Sequence, residues 1–307
     1  LERHAADRPA VEALAAEAED RLRLVEARAG MGAAGHSILY LRGYCPVERL
    51  DDLRSAAARY GWGLVIESPS PEDRVPTLLR LPRWARPIEP LMRFIGILPG
   101  YQETDISGAF LLFFGLFFAM LVGDAGYGLL FLGAALWARA RRPGLSRSLL
   151  RLIFAMSGAT IVWGALTGTW FGVQPAGVPR IAWLADGENV KRLCFGIALV
   201  HLSLAHLWNI LRLGRSPQAL AQIGWLGITW TMFFFANTMV LGAPFHRAMM
   251  PVFAVSLGLV VLFMTPLRQL KSEWFNHVML PLNVVGNFVD VVSYIRLYAV
   301  GTASFAV

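Results

Sequence analysis

From Ile106 to its end the chain consists mainly of long apolar runs, and these constrain the fold more than any other feature. A helix needs roughly 20 residues to cross the ~30 Å hydrocarbon core of a bilayer, and the runs are long enough to do so. We place them at about 106–138, 148–171, 193–213, 219–242, 248–267 and 278–307. The sequence therefore predicts a mainly α protein with a polytopic helical membrane domain.

The charged residues divide the chain near the same point. Residues 1–105 hold 16 of the 21 acids and 14 of the 28 basic residues, so the formal net charge of +7 comes from the apolar part. Basic charge beside apolar spans suits anionic lipid headgroups, and no basic stretch interleaves with exposed aromatics as a nucleic-acid groove would. We expect a cytoplasmic domain at 1–105, a membrane domain at 106–307, and no nucleic-acid partner.

The first domain has the pattern of part of an α/β lobe. Helix-forming residues with apolar spacings of three and four predict an amphipathic helix over 9–29, the end of a coiled coil. Residues 37–44 and 62–68 predict strands on either side of a proline-initiated helix at 46–61. Seven prolines within 69–99 predict a linker or short docking helices there.

Positive charge predicts which loops face the cytoplasm. The loops at 138–151, 212–215 and 268–271 hold nine Arg or Lys residues, whereas the intervening loops hold four. By the positive-inside rule, the first group lies in the cytoplasm. Further arginines just before the first apolar run place the first domain on the same side: Arg80, Arg83, Arg86 and Arg93. The first run must then cross the membrane twice, which gives about seven spans.

The sequence VGDAGYG at 122–128 supplies the break that a double crossing needs. Gly123, Gly126 and Gly128 interrupt two apolar halves of about 16 residues, which are shorter than a full span and need shielding or a thinned bilayer. Asp124 lies in this break. Its carboxylate can cap the second helix or act as an intramembrane charge.

The last apolar run contains a polar line that ends in Arg296. Asn287, Asp290 and Ser293 precede this arginine at steps of three residues, so the line must face protein, water or a partner. A charged side chain at mid-bilayer costs about 2.5–3.5 kcal/mol, so Arg296 indicates a functional charge. The alternative is that Arg296 pairs with Asp290 or extends its guanidinium to the membrane surface.

Other polar residues within the spans give weaker signals. His206 and Asn209 share a helical face, which suits a wet cavity, although core histidines bound to backbone carbonyls are about as common. His201 lies five residues before His206 and points elsewhere. The two cysteines occur in unlike contexts, and no zinc signature, phosphate loop, nucleophile elbow or dinucleotide fingerprint occurs. We expect neither a metal nor a cofactor.

Four segments in the same order carry a resemblance to a known family. They are GYCPVERL (43–50), VPTLLRLPRWARPIEPL (75–91), FFGLFFAMLVGDAGYGLL (113–130) and SYIRLYAV (293–300). The chain resembles the membrane subunit of V-type and archaeal-type rotary ATPases, called subunit a in eukaryotes and subunit I in prokaryotes.

The resemblance implies a stator subunit that conducts H⁺ or Na⁺ and does not hydrolyse ATP. Arg296 takes the position of the family's essential arginine, which faces the rotor ring of c or K subunits and favours the ionised form of a rotor carboxylate. Further implied partners are peripheral stalk subunits of the E and G type, the soluble V1 or A1 ATPase sector and membrane lipid. We expect a prokaryotic plasma membrane with the N-terminal lobe in the cytoplasm. Candidate residues of the ion path are Asn287, Asp290, Ser293, Ser304, His206 and Asn209.

Two features depart from the pattern of that family. Many of its members have a histidine eight residues after the arginine, where this chain has Ser304. The family's eighth helix, with a second arginine, is missing because the chain stops at Val307. We therefore expect a fragment from which the second half of the ion path cannot be read.

Two functions of other classes compete with the rotary ATPase. A secondary transporter or channel would bind a substrate near the midplane at Asp124, Asp290 and Arg296, although no internal repeat supports it. A membrane anchor for the first domain would explain the spans but would leave Arg296 without a role.

Overall fold

The predicted fold class is confirmed by a computed structural model, which is mainly helical with several apolar helices and few strands. It describes residues 8–34, 38–70, 72–101, 103–142, 144–266, 269 and 271–303. The helices within these ranges are α1 (Arg8–Ala29), α2 (Leu50–Tyr60), α3 (Glu89–Ile95), α4 (Ser107–Val122), α5 (Ala125–Arg141), α6 (Arg147–Thr167), α7 (Gly187–Leu213), α8 (Gln218–Leu241), α9 (Met249–Phe263), α10 (Trp274–Val278), α11 (Leu280–Ser293) and α12 (Ile295–Ala303).

The chain forms two compact units. The first unit comprises Leu1–Arg80 and Pro99–Thr104, and the membrane unit comprises Leu81–Leu98 and Asp105–Val307. The prolines of the intervening stretch therefore fall in both units.

The first unit contains α1, α2 and a small antiparallel sheet. Strand β1 (Gly32–Ala34) pairs with β2 (Ile38–Tyr40), with Gly32 opposite Tyr40. Helix α2 follows a short 3₁₀ turn at Val47–Arg49 and ends at Gly61, whose φ of 67° lies in the left-handed region that favours glycine. Helix α1 exposes its larger apolar side chains, so a coiled coil would need a partner helix.

The strand predicted over 62–68 is wrong. These residues have no regular secondary structure, and the side chain of Val65 is 83% exposed. Local composition favours a strand there, but a strand also needs a neighbour to accept and donate its backbone hydrogen bonds. In the ranges that the structure describes, β1 and β2 pair with each other and neither pairs with 62–68.

Within the described part of the membrane unit, four helices are long and apolar enough to cross a bilayer: Arg147–Thr167, Gly187–Leu213, Gln218–Leu241 and the continuous Leu280–Ala303. Helices α4 and α5 are shorter and meet at a bend of 118°, at the break that the glycines predict. Helix α9 has 15 residues and is also shorter than a full span.

The membrane unit packs mainly through neighbouring helices. Helix α5 lies on α6, α7 on α8, and α8 on α9, while α12 packs against α4 and α7. The short helix α3 and the turn before it also belong here, since Ile88 and Met92 are fully buried against Leu152 and Met156 of α6. The contacts of α12 with α4 and α7 fix the position of the helix that carries Arg296.

Candidate functional site

Arg296 lies just after an irregularity between α11 and α12. The backbone N–H of Tyr294 donates to the carbonyl of Val291, and that of Leu297 donates to the carbonyl of Tyr294, so the helix tightens locally to i−3 bonding. The Nε of Arg296 donates to the carbonyl of Ser293 at 3.2 Å. This bond orients the side chain at the junction.

The guanidinium of Arg296 is exposed and forms no ion pair with any residue that the structure describes. Asp290 is also exposed and does not pair with Arg296. The alternative in which these two side chains neutralise each other is therefore not seen. An exposed cation on an apolar helix needs an anion or water from outside the described part of the chain.

A polar and aromatic cluster fixes the junction before Arg296. Nδ1 of His201, on α7, lies 2.5 Å from the hydroxyl of Tyr294, and the two groups share a hydrogen bond. The ring of Phe113, on α4, stacks on His201 with the ring centroids 4.0 Å apart. Phe117 packs edge-on against Tyr294 at 5.7 Å. Helices α4 and α7 thus hold the backbone from which Arg296 projects.

The residues of the predicted polar line lie in different environments. Asn287 is 8% exposed, and its Nδ2 donates to Oγ1 of Thr229 on α8 at 2.9 Å. The hydroxyl of Ser293 donates to the carbonyl of Val289 at 2.7 Å. Asn287 therefore faces the interior of the helix bundle, whereas Asp290 and Arg296 face outward.

The remaining ion-path candidates lie apart from this junction or outside the described residues. Nδ1 of His206 lies 3.1 Å from Oε1 of Gln222, which joins α7 to α8. Asn209 is half-buried one turn further along α7, and within the described ranges its side chain makes no hydrogen bond to His206. Ser304 lies outside the residues that the structure describes.

Asp124 caps α5 and is 1% exposed. Its Oδ1 accepts from the backbone N–H of Tyr127 at 3.1 Å and from that of Phe171 at 2.9 Å. Its Oδ2 accepts from the N–H of Gly172 at 2.6 Å. The carboxylate therefore joins the α4–α5 break to the loop that follows α6.

Close backbone contacts surround this carboxylate. A Cβ on Gly164 of α6 would lie 2.0 Å from the backbone nitrogen of Ala125, and one on Gly126 would lie 2.7 Å from the ring of Phe171. A Cβ on Gly128 would meet Ile161 of α6 at 2.8 Å. Gly123 ends α4 with a φ of 70°. The glycines of the break thus permit α5 to approach α6 and the following loop.

A cavity of about 220 Å³ lies between α4, α6, α7 and α12. Its hydroxyl and amide side chains come from the end of α6, the following loop and the turns of α12 after Arg296: Thr167, Thr169, Gln174, Tyr298 and Thr302. At its edge Nζ of Lys191 lies 5.3 Å from the ring centre of Tyr298 and 2.7 Å from Oε1 of Glu188. Among the described residues no group of three His, Cys, Asp or Glu could hold a metal ion.

The chain is similar to known membrane subunits over most of its length. It is 37% identical to the V-type ATP synthase subunit I 1 of Treponema pallidum over 294 residues, which is 88% of this chain and 47% of that protein. It is 30% identical to the V-type ATP synthase subunit I of Borreliella burgdorferi over 296 residues, 87% of this chain and 48% of that protein. The chain belongs to the subunit I family of V-type and A-type ATP synthases.

An archaeal subunit I shows the breadth of this family. The A-type ATP synthase subunit I of Methanothermobacter thermautotrophicus is 26% identical over 227 residues, which is 66% of this chain and 34% of that protein. No protein-family model matches the chain. The chain spans about half the length of the first two relatives.

Sequence reasoning did not identify two features of this subunit I chain. The hydrogen bond between His201 and Tyr294 joins residues 93 positions apart, and the bonds from Phe171 and Gly172 to Asp124 span 47 and 48 positions. No local spacing reveals such contacts. Only Gly172 could have been singled out from the sequence as a turn residue, because it is one of three glycines in the short stretch TGTWFGVQPAG at the end of α6.

Proposed function

We propose that this chain is part of the stator of a rotary ATPase and provides a path for H⁺ or Na⁺ past a ring of carboxylate-bearing rotor subunits. Arg296 is the fixed cation of this path. The proposal rests on the family to which the chain belongs and on one observation, the exposed guanidinium of Arg296 without an ion-pair partner in the described ranges.

The face that carries Arg296 supports a rotor partner. Four large apolar side chains are exposed on α11 and α12 beside Arg296, namely Leu282, Val285, Val289 and Val300, together with the polar side chains of Asn283, Asp290 and Thr302. An apolar face suits lipid or another apolar helix, but a fixed cation within it costs about 2.5–3.5 kcal/mol at mid-bilayer unless an anion approaches. A carboxylate on a passing rotor helix supplies that anion.

The chemistry of arginine fits this role. A guanidinium stays protonated at any physiological pH, and it stabilises the ionised form of a carboxylate that comes within a few ångströms. A rotor carboxylate that arrives with a bound proton or Na⁺ therefore releases it near Arg296. The same positive charge repels a cation that would cross without rotation of the ring.

Topology extends the proposal to both sides of the membrane. With the arginine-rich connectors in the cytoplasm, α4 to α9 and the α11–α12 helix give seven crossings, and the connectors 168–186 and 242–248 lie outside. Helix α12 then runs outward from Arg296. The first unit then lies on the cytoplasmic side. The exposed apolar residues of its helix α1 suit a helical peripheral stalk subunit of the E or G type.

A secondary transporter remains the second candidate, and the contacts of Asp124 weigh against it. A substrate site at Asp124, Asp290 and Arg296 needs free lone pairs on both carboxylates. Asp124 already accepts three backbone N–H groups, and within the described ranges no hydrogen bond or ion pair joins any two of these residues. A membrane anchor leaves the exposed cation without a role.

The test is Arg296→Ala in the full-length protein within its assembled complex. We expect ATP-driven transport of H⁺ or Na⁺ into membrane vesicles to be abolished, with unchanged amounts of the complex. The matched control is Arg212→Ala, which removes an exposed arginine from the last turn of α7. Normal transport by the Arg296 variant would contradict the proposal.

A further inference from the structure

Asp124 is bound more extensively than a helix cap requires. A capping carboxylate needs to accept from only one N–H of the first helical turn. Asp186, which caps α7, does this by accepting from Glu188 at 3.0 Å. Asp124 accepts from Tyr127 in the same way, but it also binds Phe171 and Gly172 in the loop after α6. The additional bonds indicate a second role.

The loop depends on these bonds for its conformation. Phe171 has a φ of 52°, in the left-handed region where a bulky residue is strained by about 1–3 kcal/mol. Gly172 follows with a φ of 76°. Two successive residues in this region turn their N–H groups towards the carboxylate. Hydrogen bonds to a charged group contribute about 1.5–3 kcal/mol each and can offset the strain.

Other contacts make the loop a rigid unit. The N–H of Ala125 donates to the carbonyl of Thr169 at 3.0 Å, and Trp170 and Val173 exchange backbone hydrogen bonds at 2.8 and 3.1 Å. Thr169 is 1% exposed. A change at Gly172 would therefore move the residues on both sides of the turn, Trp170 and Val173, together.

This loop forms one wall of the cavity beside α12. Thr169 and Gln174, on either side of the turn, line the cavity of about 220 Å³, and Tyr298 and Thr302 line it from α12. A water molecule takes up about 30 Å³ in the liquid, so several fit among these hydroxyl and amide groups. The cavity thus offers water a place one to two turns from Arg296.

We propose that Asp124 is a positioning residue for ion movement, because its carboxylate holds the loop that keeps this cavity open beside α12. The inference rests on the proposed function, since the cavity matters only if ions move past Arg296. Asp124 itself is 1% exposed. It acts through the backbone of Phe171 and Gly172.

Asp124→Asn tests this role with little change of shape. The amide oxygen can replace Oδ1 and keep the bonds from Tyr127 and Phe171. The amide NH₂ then takes the place of Oδ2 and meets the N–H of Gly172, so that two donors face each other. The variant retains the cap of α5 while it loses the bond that holds the loop at Gly172. Asp186→Asn is the matched control, because it changes a capping aspartate whose side chain, within the described residues, accepts only from the first turn of its own helix.

The experiment measures water access to the cavity in the assembled complex. In a background with Cys45→Ser and Cys194→Ala, the Thr302→Cys side chain is labelled by a membrane-impermeant methanethiosulfonate from the outer side. We expect labelling when Asp124 is present and about tenfold slower labelling with Asp124→Asn, which corresponds to about 1.4 kcal/mol, the scale of one hydrogen bond. The Asp186→Asn control should label at the original rate.

ATP-driven transport measured without the cysteine provides the second readout. We expect it to fall with Asp124→Asn in parallel with labelling, at unchanged amounts of the complex. If Thr302→Cys is not labelled when Asp124 is present, or if Asp124→Asn labels as fast as the control, the inference is wrong. Slower labelling with undiminished transport also overturns it.

A second variant keeps the test valid if Asp124→Asn does not assemble. Gly172→Ala retains the carboxylate and adds a methyl group that meets no atom within 4 Å, so it acts only through the strained φ of 76°. It should slow labelling and transport in the same direction, and unchanged rates would overturn the inference. Labelling does not require transport, so a failure of Arg296→Ala to abolish transport refutes the proposed function without altering this result.

Discussion

Nδ1 of His201 and the hydroxyl of Tyr294 lie 2.5 Å apart, and this hydrogen bond ties the α11–α12 junction to α7. Arg296 follows Tyr294 by two residues, so the bond fixes the part of the helix from which the guanidinium projects. Phe113 stacks on the histidine ring and restrains it from the side of α4.

We expect Tyr294→Phe and His201→Phe to be coupled in a double-mutant cycle. Hydrogen bonds between membrane helices are worth about 0.6 kcal/mol on average and at most about 1.7, so the coupling should fall in this range. Thermal unfolding of the purified protein in detergent measures it. A cycle on His206 and Gln222, whose atoms lie 3.1 Å apart, provides the comparison. Strict additivity of the two changes would show that the His201–Tyr294 bond contributes nothing.

The buried pair of Asn287 and Thr229 should show an asymmetry between single and double changes. Thr229→Val removes the acceptor of the Asn287 amide, whose Oδ1 already has no partner within the described residues. An unsatisfied buried donor costs about 1–3 kcal/mol, so this variant should unfold at lower temperature. Addition of Asn287→Leu removes the orphaned amide and should restore part of the loss. A further loss of the same size on the second change would contradict this account.

Hydropathy and glycine spacing predict the helices of the membrane unit because both are local properties. The thickness of the bilayer sets the length of the apolar runs, and Gly123 and Asp124 mark where α4 ends and α5 begins. The prediction of a strand at 62–68 is wrong because strand pairing is not a local property. A strand exists only with a neighbour, and local composition does not reveal whether one is present.

The polar line before Arg296 shows a second limit of sequence reasoning. Nine residues at 3.6 residues per turn amount to about two and a half turns, so Asn287 and Arg296 project from opposite sides of the helix. The structure accordingly buries Asn287 against α8 and exposes Arg296. Spacing alone shows this divergence, but only the packing of α8 determines which end of the line faces outward.

Two glycines of α6 give a matched test of the packing between α5 and α6. Gly164→Ala would place a Cβ 2.0 Å from the backbone nitrogen of Ala125, whereas Gly158→Ala meets no atom within 4 Å. Overpacking of a backbone contact costs about 1–3 kcal/mol, so Gly164→Ala should lower the unfolding temperature. Gly158→Ala should be neutral or stabilising by up to about 1 kcal/mol, since alanine favours the helix. Equal effects of both changes would contradict the close approach at Gly164.

Arg296→Lys separates the geometry of the guanidinium from its charge. The side chain donates through Nε to the carbonyl of Ser293, which leaves the planar NH₂ groups free to bind both oxygens of an approaching carboxylate. Lysine keeps a positive charge but has neither the Nε donor nor the planar fork, so its ammonium is not oriented by the junction. Loss of one charge-assisted hydrogen bond of about 1.5–3 kcal/mol corresponds to at least about a tenfold lower rate of ATP-driven transport. Arg212→Lys, at an exposed position, should transport at the original rate. Full activity of Arg296→Lys would mean that a positive charge alone suffices, and the bond to Ser293 would then have no part in the function.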